Sequence, residues 1–283
     1  MTHSRRDILE LLEANGLRPS RALGQNFVAD ANTVRRIARL AGVAPGDKVM
    51  EIGAGLGSLT MALAETGASV VAVETDRRLL PLLHAAVDAL GVRVVHGDAM
   101  HLDLAGLLEE QDRADATAPA SPVGWSMVAN LPYNVAVPLV MRVLDDVPSV
   151  KALLVMVQRE VGERLAAAPG SRAYGAVSVK VAYHAVSRVV GKVPATVFVP
   201  RPRVESVLVL LERRPVVAVD PALVPADKLF AVVRAGFAQR RKMLRRSLAG
   251  TVSQQAFDDA GIDASARAEE LSIEQWGRLA ACC

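Results

Sequence analysis

Cysteine is scarce in this sequence, and its placement excludes two kinds of site. The only cysteines among 283 residues, Cys282 and Cys283, are neighbours at the C-terminus, so they can build neither a structural disulfide framework nor a metal site. The histidines are scattered and lack metal-ligand spacing with carboxylates. We therefore predict no metal cofactor.

Long apolar runs are also missing. No run reaches the roughly 18 to 20 residues that span a bilayer, and the N-terminal residues interleave charged with apolar side chains instead of forming a signal-peptide core. These features predict a cytoplasmic protein without a membrane partner, and we expect it to be monomeric.

Acidic residues are absent from Lys228 to Phe257, although the chain as a whole has 33 basic and 30 acidic residues and a net charge of only +3. Positive charge that is concentrated in one segment argues for an anionic partner more strongly than the small net charge does.

Apolar, β-rich runs alternate with helical patterns between Lys48 and Gln158. This alternation predicts βαβ units, a parallel sheet covered on both faces, and ligands at the carboxyl ends of the strands. Two later runs predict an antiparallel pair that completes a seven-stranded, mostly parallel sheet. The seven predicted strands are Lys48–Ile52, Ser69–Thr75, Arg93–His96, Trp125–Ala129, Val150–Val157, Val177–Tyr183 and Val204–Leu211.

Beyond Arg213 the β pattern stops and helical periodicity begins. We predict an α/β, Rossmann-like domain over residues 1–215 and a small all-helical domain over residues 216–283. The predicted helical stretches are Pro225–Gly250, Ser253–Gly261 and Ser265–Cys282, with Ser272 as a cap candidate. The stretch Asp112–Gly124 is predicted to be a surface loop.

A glycine-rich turn follows the first predicted strand. A dinucleotide fingerprint would need its late glycine at Ser58, whereas the glycines here are Gly53, Gly55 and Gly57. This spacing after Glu51 resembles the first motif of class I S-adenosylmethionine (SAM)-dependent methyltransferases, in which bare backbone lets the methionine end of the cofactor lie close.

Carboxylates end the next two strands. Glu74 lies about 20 residues beyond Gly53, the distance at which an acidic side chain reaches ribose hydroxyls, and Asp98 could accept from an adenine amine. A solvated carboxylate and a turn-forming Asp are the alternatives. Together with the glycines, both residues predict one pocket for an adenosine moiety.

The tetrapeptide Asn130-Leu131-Pro132-Tyr133 follows the fourth strand. The Asn130 side-chain oxygen and the Leu131 carbonyl could accept hydrogen bonds from an adenine amine and meet the positive charge that develops during attack. Pro132 restrains Leu131 to an extended conformation, and Tyr133 offers a face for stacking. A strand-ending turn with a partly buried tyrosine is the alternative.

On these motifs the chain resembles the ribosomal RNA adenine N6,N6-dimethyltransferase family, particularly its small-subunit branch. One departure is Ala54, where relatives commonly carry proline, and another is the loop Asp112–Gly124, which is longer than usual in the family. The resemblance covers nearly the whole chain and rests on Leu23–Phe27, Glu51–Thr60, Asn130–Tyr133, Val197–Ser206 and Phe237–Leu248.

The resemblance implies roles for individual residues. A segment that includes Gln25, Asn26 and Val28 would close over SAM, and Phe198 would be a second aromatic side chain that stacks on the target adenine. The residues implied to contact SAM are Asn26, Val28, Gly53, Glu74, Asp98 and Asn130, with Gln25 and Phe27 shaping the same segment.

The acid-free segment carries a helical pattern from Leu229 to Leu248, with apolar residues on one face and Arg234, Arg241 and Arg245 on another. Such a stripe predicts salt-dependent RNA binding, although a solvated charged face is the ordinary alternative. The predicted RNA-binding residues are Arg234, Arg240, Arg241, Lys242, Arg245 and Arg246.

The resemblance implies a SAM-dependent enzyme that dimethylates two adjacent adenosines in a hairpin near the 3′ end of small-subunit rRNA, late in subunit assembly. The alternatives are a large-subunit rRNA methyltransferase that confers macrolide resistance, a non-catalytic assembly factor that binds RNA, and a small-molecule methyltransferase. The last would leave the arginine-rich segment unexplained.

Overall fold

A computed structural model describes residues 2–115 and 124–283 of the chain. Its main feature is a seven-stranded sheet with the order β4-β3-β2-β5-β6-β9-β7, and a separate two-stranded sheet pairs β1 with β8. The strands are β1 (Phe27–Val28), β2 (Lys48–Ile52), β3 (Ser69–Glu74), β4 (Arg93–His96), β5 (Trp125–Asn130), β6 (Val150–Gln158), β7 (Ala185–Val193), β8 (Phe198–Val199) and β9 (Ser206–Arg213).

Parallel pairing dominates the large sheet. The pairs β2–β3, β2–β5, β3–β4 and β5–β6 are parallel, while β6 and β9 are antiparallel. The central strands are buried along nearly their whole length, as expected of a parallel sheet with helices on its faces. The predicted Rossmann-like sheet of seven mostly parallel strands is confirmed.

Twelve α-helices and three short 3-10 helices occur in the described residues. The α-helices are α1 (Arg5–Ala14), α2 (Ala31–Leu40), α3 (Ser58–Ala64), α4 (Leu80–Val87), α5 (Leu104–Ala114), α6 (Ala136–Asp146), α7 (Arg159–Leu165), α8 (Ala176–His184), α9 (Ala226–Ala238), α10 (Leu244–Ser247), α11 (Gln254–Ala260) and α12 (Ile273–Ala281). None of the helices in this part of the chain is long and apolar enough to cross a membrane.

Contacts divide the chain into two compact units. One runs to Gly162 and includes Arg188–Glu212, and the other consists of Glu163–Ser187 and Arg213–Cys283. The first contains the cores around the sheet, where α2 and α3 pack their apolar faces on the central strands. The second has its own core around the fully buried Trp276. Residues 163–187, which the sequence assigned to the first domain, thus have their contacts in the second unit.

The predicted strand Val177–Tyr183 is wrong, because this segment forms α8. Its valines favour a strand locally, but the Ser178 hydroxyl accepts from the Gly175 N–H at the start of the helix. Tyr183 packs edge-on against Phe230 of α9, with ring centroids 5.2 Å apart. Tertiary packing overrides local propensity here, and the strand that completes the sheet edge is β7, which follows α8 directly.

The single helix predicted over Leu229–Leu248 is also wrong. Helix α9 ends at Ala238 and α10 begins at Leu244, and between them Met243 forms a bridge with Arg267. The predicted apolar face is nevertheless buried, since Phe230, Val233 and Leu248 all lie in the core of the second unit. The arginines of the segment do not share one helical face.

Two smaller expectations have mixed outcomes. The predicted cap Ser272 is confirmed, because its side chain accepts from the Gln275 N–H at the start of α12. The predicted loop Asp112–Gly124 begins later than expected, since α5 continues to Ala114, and residues 116–123 lie outside the described part of the chain.

Candidate active site

The glycine-rich turn lies between β2 and α3, at the carboxyl edge of the sheet. Gly53, Gly55 and Gly57 all have positive φ angles, of 81°, 60° and 84°, a conformation that side chains other than glycine rarely adopt. The Gly53 N–H donates to the Val73 carbonyl at the end of β3 (2.8 Å). The turn is thereby held across two neighbouring strand ends.

Gly55 has a second reason to lack a side chain. A Cβ atom at this position would lie 3.1 Å from both Cδ1 and Cε1 of the Phe27 ring, which comes from β1 and is itself buried. The backbone of the turn and an aromatic ring of the neighbouring segment therefore enclose the same space. A methyl group would push them apart.

Glu74 ends β3 inside this pocket and is only 4% exposed. Its Oε2 accepts from the Gly55 N–H and its Oε1 from the Asp76 N–H, both at 2.7 Å. Burial raises the pKa of this carboxyl group above its ordinary value, while the backbone donors oppose the shift. Because a carboxylate has about four acceptor positions, Glu74 can still accept from ligand hydroxyls.

Glu51, in β2, is a second buried carboxyl group of the pocket lining. It is 1% exposed, and its Oε2 has no hydrogen-bond partner among the described residues. Burial and the charge of Glu74 raise its pKa to about 8. The Glu51 carboxyl group is therefore mostly protonated near neutral pH, and a positively charged ligand in the pocket would favour its ionised form.

Asp98, beyond β4, borders an adjacent depression that shares Gly53, Thr75 and Pro132 with the main pocket. Its Oδ1 accepts from the Met100 N–H (2.8 Å), and its side chain is 54% exposed. Loop residues next to it are fixed by Arg142 of α6, which donates to the carbonyls of Ala99 and Leu102. The sequence predicted one pocket, whereas the structure places Gly53, Gly55 and Glu74 in the main pocket and Asp98 in the adjacent depression, and Gly57 is in neither lining.

Asn130 ends β5 on the opposite side of the pocket. Its Nδ2 donates to the backbone carbonyl of Asn26 (2.9 Å). A carbonyl can only accept, so this contact requires the NH₂ of the amide to face Asn26. The amide oxygen then faces away from Asn26 and has no hydrogen-bond partner among the described residues. It is available to accept from a ligand donor.

Leu131, Pro132 and Tyr133 continue the lining next to Asn130. Leu131 is 1% exposed, and its N–H donates to the Met156 carbonyl of β6 (3.1 Å). Tyr133 is half-buried, and its hydroxyl is buried without a partner in the described residues. The sheet therefore holds the backbone of this tetrapeptide, and an aromatic ring borders the pocket beside it.

A further part of the lining comes from Leu23–Val28, which we call the wall segment. Asn26 and Val28 line the pocket as the sequence predicted. Gln25 also lines it, but both ends of its amide are used within the protein: Oε1 accepts from the Ser20 N–H and Nε2 donates to Asp76. Its side chain holds the wall in place, a partnership that no sequence motif indicated.

Phe198 is not brought to the pocket. It forms β8, opposite Val28 of β1, and at 1% exposure it belongs to the core between the sheet and its helices. The expected stacking on a target base therefore has no support from this placement, because a buried ring offers no free face. Phe198 pairs with Val28 of the wall segment in the two-stranded sheet.

The predicted RNA-binding residues of the second unit fall into different environments. Arg240 donates to the Glu269 carboxylate (2.5 Å) and to the Arg172 carbonyl (2.7 Å), so its charge is paired within the protein. Arg245 donates to the Met243 sulfur. Arg234 is exposed on α9.

Four exposed cations surround one shallow depression, and we call them the basic patch. None of them forms an ion pair with a described residue, although Glu270 also borders the depression. One member, Arg267, lies outside the basic run and is brought to it by the Met243–Arg267 bridge, so only a prediction of that pairing could have found it. The basic patch consists of Arg241, Lys242, Arg246 and Arg267.

The family model described as Ribosomal RNA adenine dimethylase matches residues 17–283 of this chain. A protein of Streptomyces avermitilis named Ribosomal RNA small subunit methyltransferase A is 47% identical over 288 residues, which cover 97% of this chain and 91% of that protein. A protein of Leifsonia xyli subsp. xyli with the same name is 47% identical over 286 residues, which cover 97% and 96%.

Solved structures show the same fold. The 23S rRNA methyltransferase ErmE aligns with a TM-score of 0.68 and 24% identity, covering 90% of this chain and 98% of that one. A dimethyladenosine transferase from Plasmodium falciparum aligns with a TM-score of 0.72 and 21% identity, covering 88% and 94%. The likeness extends over both compact units.

Replacing Gly55 with alanine should weaken SAM binding on the order of tenfold, because the added methyl group meets the Phe27 ring. Gly91→Ala is the matched control, since Gly91 also has a positive φ, of 70°, but open space around it. Measured with denaturant, Gly91→Ala should lower the free energy of unfolding by about 1 kcal/mol because of its positive φ, and Gly55→Ala should lower it further because of the close contact with Phe27. Calorimetric titration measures the affinity for SAM. An affinity of Gly55→Ala equal to that of the unaltered protein would contradict the prediction that SAM lies against the glycine turn.

The raised pKa of Glu51 gives a pH-dependent stability. Between its ordinary value of 4.5 and about 8, the folded state binds more protons than the unfolded state, so this group's contribution to stability falls as pH rises. Relative to the unaltered protein, Glu51→Gln should therefore gain at least about 1.4 kcal/mol of unfolding free energy, one pKa unit, between pH 5 and pH 8. A pH-independent difference between the two proteins would show that Glu51 is already ionised at pH 5.

Proposed function

The chain belongs to the ribosomal RNA adenine dimethylase family, and from that premise we propose that it transfers two methyl groups from SAM to the N6 amine of each of two adjacent adenosines near the 3′ end of small-subunit rRNA. As a member of this family it is a SAM-dependent rRNA adenine dimethyltransferase. The identity of the substrate bases and the timing late in subunit assembly belong to the proposal.

Asn130 carries the proposal. Adenine N6 is a poor nucleophile because its lone pair is delocalised into the ring, so the enzyme must favour the amine geometry that has begun to attack. The Asn130 amide oxygen, turned away from Asn26, would accept from the amine, with the Leu131 carbonyl as a second acceptor. Both oxygens oppose the positive charge that grows on nitrogen as the methyl group arrives.

No strong base is needed before the attack. SAM would supply an electrophilic methyl group on a positively charged sulfur, and attack by the neutral amine would break the methyl–sulfur bond and release S-adenosylhomocysteine. The product nitrogen releases its proton afterwards. This chemistry agrees with an amide at position 130, because an uncharged acceptor orients the amine without having to deprotonate it. Tyr133 would stack on the base, which an unpaired adenosine presents at the smallest unstacking cost.

Residues around the pocket and the adjacent depression would contact the different parts of SAM. The bare glycine turn would lie against the methionine end, Glu74 would accept from the ribose hydroxyls, and Asp98 would accept from the adenine amine in the adjacent depression. Asn26 and Val28 would border the same ligand from the wall segment. The buried, unpartnered Oε2 of Glu51 supports a cationic ligand, because a positive charge would stabilise its ionised form.

The small-subunit substrate is favoured over the large-subunit alternative by sequence distance. Relatives named for small-subunit methylation are about 47% identical across nearly the whole chain, whereas the 23S rRNA methyltransferase is 24% identical and supports the fold alone. The second unit would supply RNA affinity through the basic patch, together with the exposed Arg234 and Arg245.

The test is transfer of labelled methyl groups from SAM to small subunits that lack the endogenous modification, followed by nucleoside analysis. We expect N6,N6-dimethyladenosine confined to small-subunit rRNA, with two modified residues per subunit. Label found in large-subunit rRNA would replace the proposal by the resistance-conferring alternative. Tight subunit binding without any label would favour a non-catalytic assembly factor.

Asn130→Ala should lower the turnover number for methyl transfer on the order of 100-fold, since the acceptor that meets the developing charge is lost. SAM and RNA affinities should change little. Asn134→Ala is the matched control, because Asn134 is an exposed residue of the same loop and should retain near-normal turnover. Single-turnover kinetics at saturating SAM measure the effect, and near-normal turnover of Asn130→Ala would remove its proposed role.

Arg241→Gln should weaken binding of an RNA hairpin and reduce the slope of log affinity against log salt by about one, as expected when one phosphate contact is lost. Arg6→Gln removes the same charge from an exposed residue that is paired with Glu10, and it should leave the slope unchanged. Binding titrations across salt concentrations compare the two. Equal slopes would mean that RNA contacts other residues.

A further inference from the structure

Asp76 is a buried carboxylate that neither the sequence motifs nor the proposed chemistry uses. It lies two residues beyond the end of β3 and is 6% exposed. Arg78 donates to both of its oxygens, through Nε at 2.9 Å and Nη2 at 2.8 Å. These donors, with Gln25, lower the pKa of Asp76 to about 2, so it remains charged at any physiological pH.

The second partner of Asp76 is Gln25 of the wall segment, whose Nε2 donates to Oδ2 (2.8 Å). The contact joins residues 51 positions apart in sequence. The other end of the Gln25 amide accepts from the Ser20 N–H (2.7 Å), which fixes the orientation of the amide. One charged group thus holds the wall segment through a hydrogen bond of the stronger, charge-assisted kind.

The backbone of Asp76 serves the opposite side of the pocket. Its N–H donates to Oε1 of Glu74 (2.7 Å), the carboxylate expected to bind ribose. Asp76 therefore connects the wall segment to the Glu74 carboxylate, although Asp76 itself does not line the pocket. The wall segment in turn contacts Asn130 through the Asn26 carbonyl.

We propose that Asp76 is a positioning residue that keeps the wall segment ordered against the SAM pocket through Gln25. This inference rests on the proposed placement of SAM beside that segment. SAM would bind only to molecules in which the wall segment is ordered. Its apparent affinity is therefore the intrinsic affinity multiplied by the fraction of molecules in that state. Loss of one charge-assisted hydrogen bond should lower that affinity on the order of tenfold.

Exchange of the two side-chain types tests the direct contact. Gln25→Glu places two carboxylates together and Asp76→Asn removes the charge, and each should raise the KM for SAM about tenfold while kcat at saturating SAM changes less than about threefold. The double variant carrying both substitutions restores an amide opposite a carboxylate. It should recover part of the lost affinity, because the amide nitrogen at position 76 can donate to the carboxylate at position 25 but cannot accept from Arg78 Nη2. Independent structural damage would give no recovery.

Hydrogen–deuterium exchange of the peptide covering residues 20–28 gives a readout without RNA or catalysis. Exchange should be faster in both single variants and return toward normal in the double variant. The control is Arg78→Met, which removes the other partner of Asp76 but leaves Gln25 in place, and it should affect this peptide less. Equal loosening by Arg78→Met, unchanged exchange in Gln25→Glu, or no recovery in the double variant would each overturn the inference.

Failure of the inference and failure of the proposed function remain distinguishable. Exchange rates and SAM titrations involve no RNA, so they test the Asp76–Gln25 contact whatever base is methylated. Faster exchange with unchanged SAM affinity would overturn the link between wall and cofactor. Absence of dimethyladenosine in the product of the unaltered protein would instead count against the proposed substrate.

Discussion

Two backbone N–H groups from different places in the chain donate to one buried carboxylate, that of Glu74. One belongs to Gly55 and fixes the glycine turn, while the other belongs to Asp76 and fixes the chain after β3. Burying a carboxylate without such donors would cost free energy. The buried Glu74 side chain therefore depends on the left-handed backbone of the turn, which presents the Gly55 N–H, and the Glu74 carboxylate in turn holds that backbone in place. The rest of the pocket is arranged around this contact.

The wall segment extends this dependence to the other side of the pocket. Through Gln25 it is tied to Asp76 and hence to the turn that holds Glu74, and through the Asn26 carbonyl it orients Asn130. Glu74 and Asn130 lie at the ends of two different strands, and the sheet sets the separation of the two residues. The sheet does not determine the orientation of the Asn130 side-chain amide. The hydrogen bond to the Asn26 carbonyl of the wall segment fixes that orientation.

Sequence patterns located most of the sheet because burial in parallel strands leaves a direct trace in the order of residues. Strands β2 and β4 have the predicted bounds, and the turn glycines, Glu74, Asp98 and Asn130 each lie at or just after the end of a predicted strand. Patterns failed where the partner decides the structure. The valines of α8 resemble a strand until packing against α9 is known, and the break after Ala238 depends on pairing with residues near Arg267.

The same limit applies to the candidate sites, and charge illustrates it best. Six basic residues between Arg234 and Arg246 look alike in sequence, yet Arg240 is paired with Glu269, 29 positions away, and contributes a structural contact. Arg267 compensates from outside the run. Since a paired guanidinium has already exchanged water for a carboxylate, it has less to gain from a phosphate. The proposed anion binding by this segment therefore depends on which arginines lack a partner among the described residues, and the number of basic residues in the run overstates it.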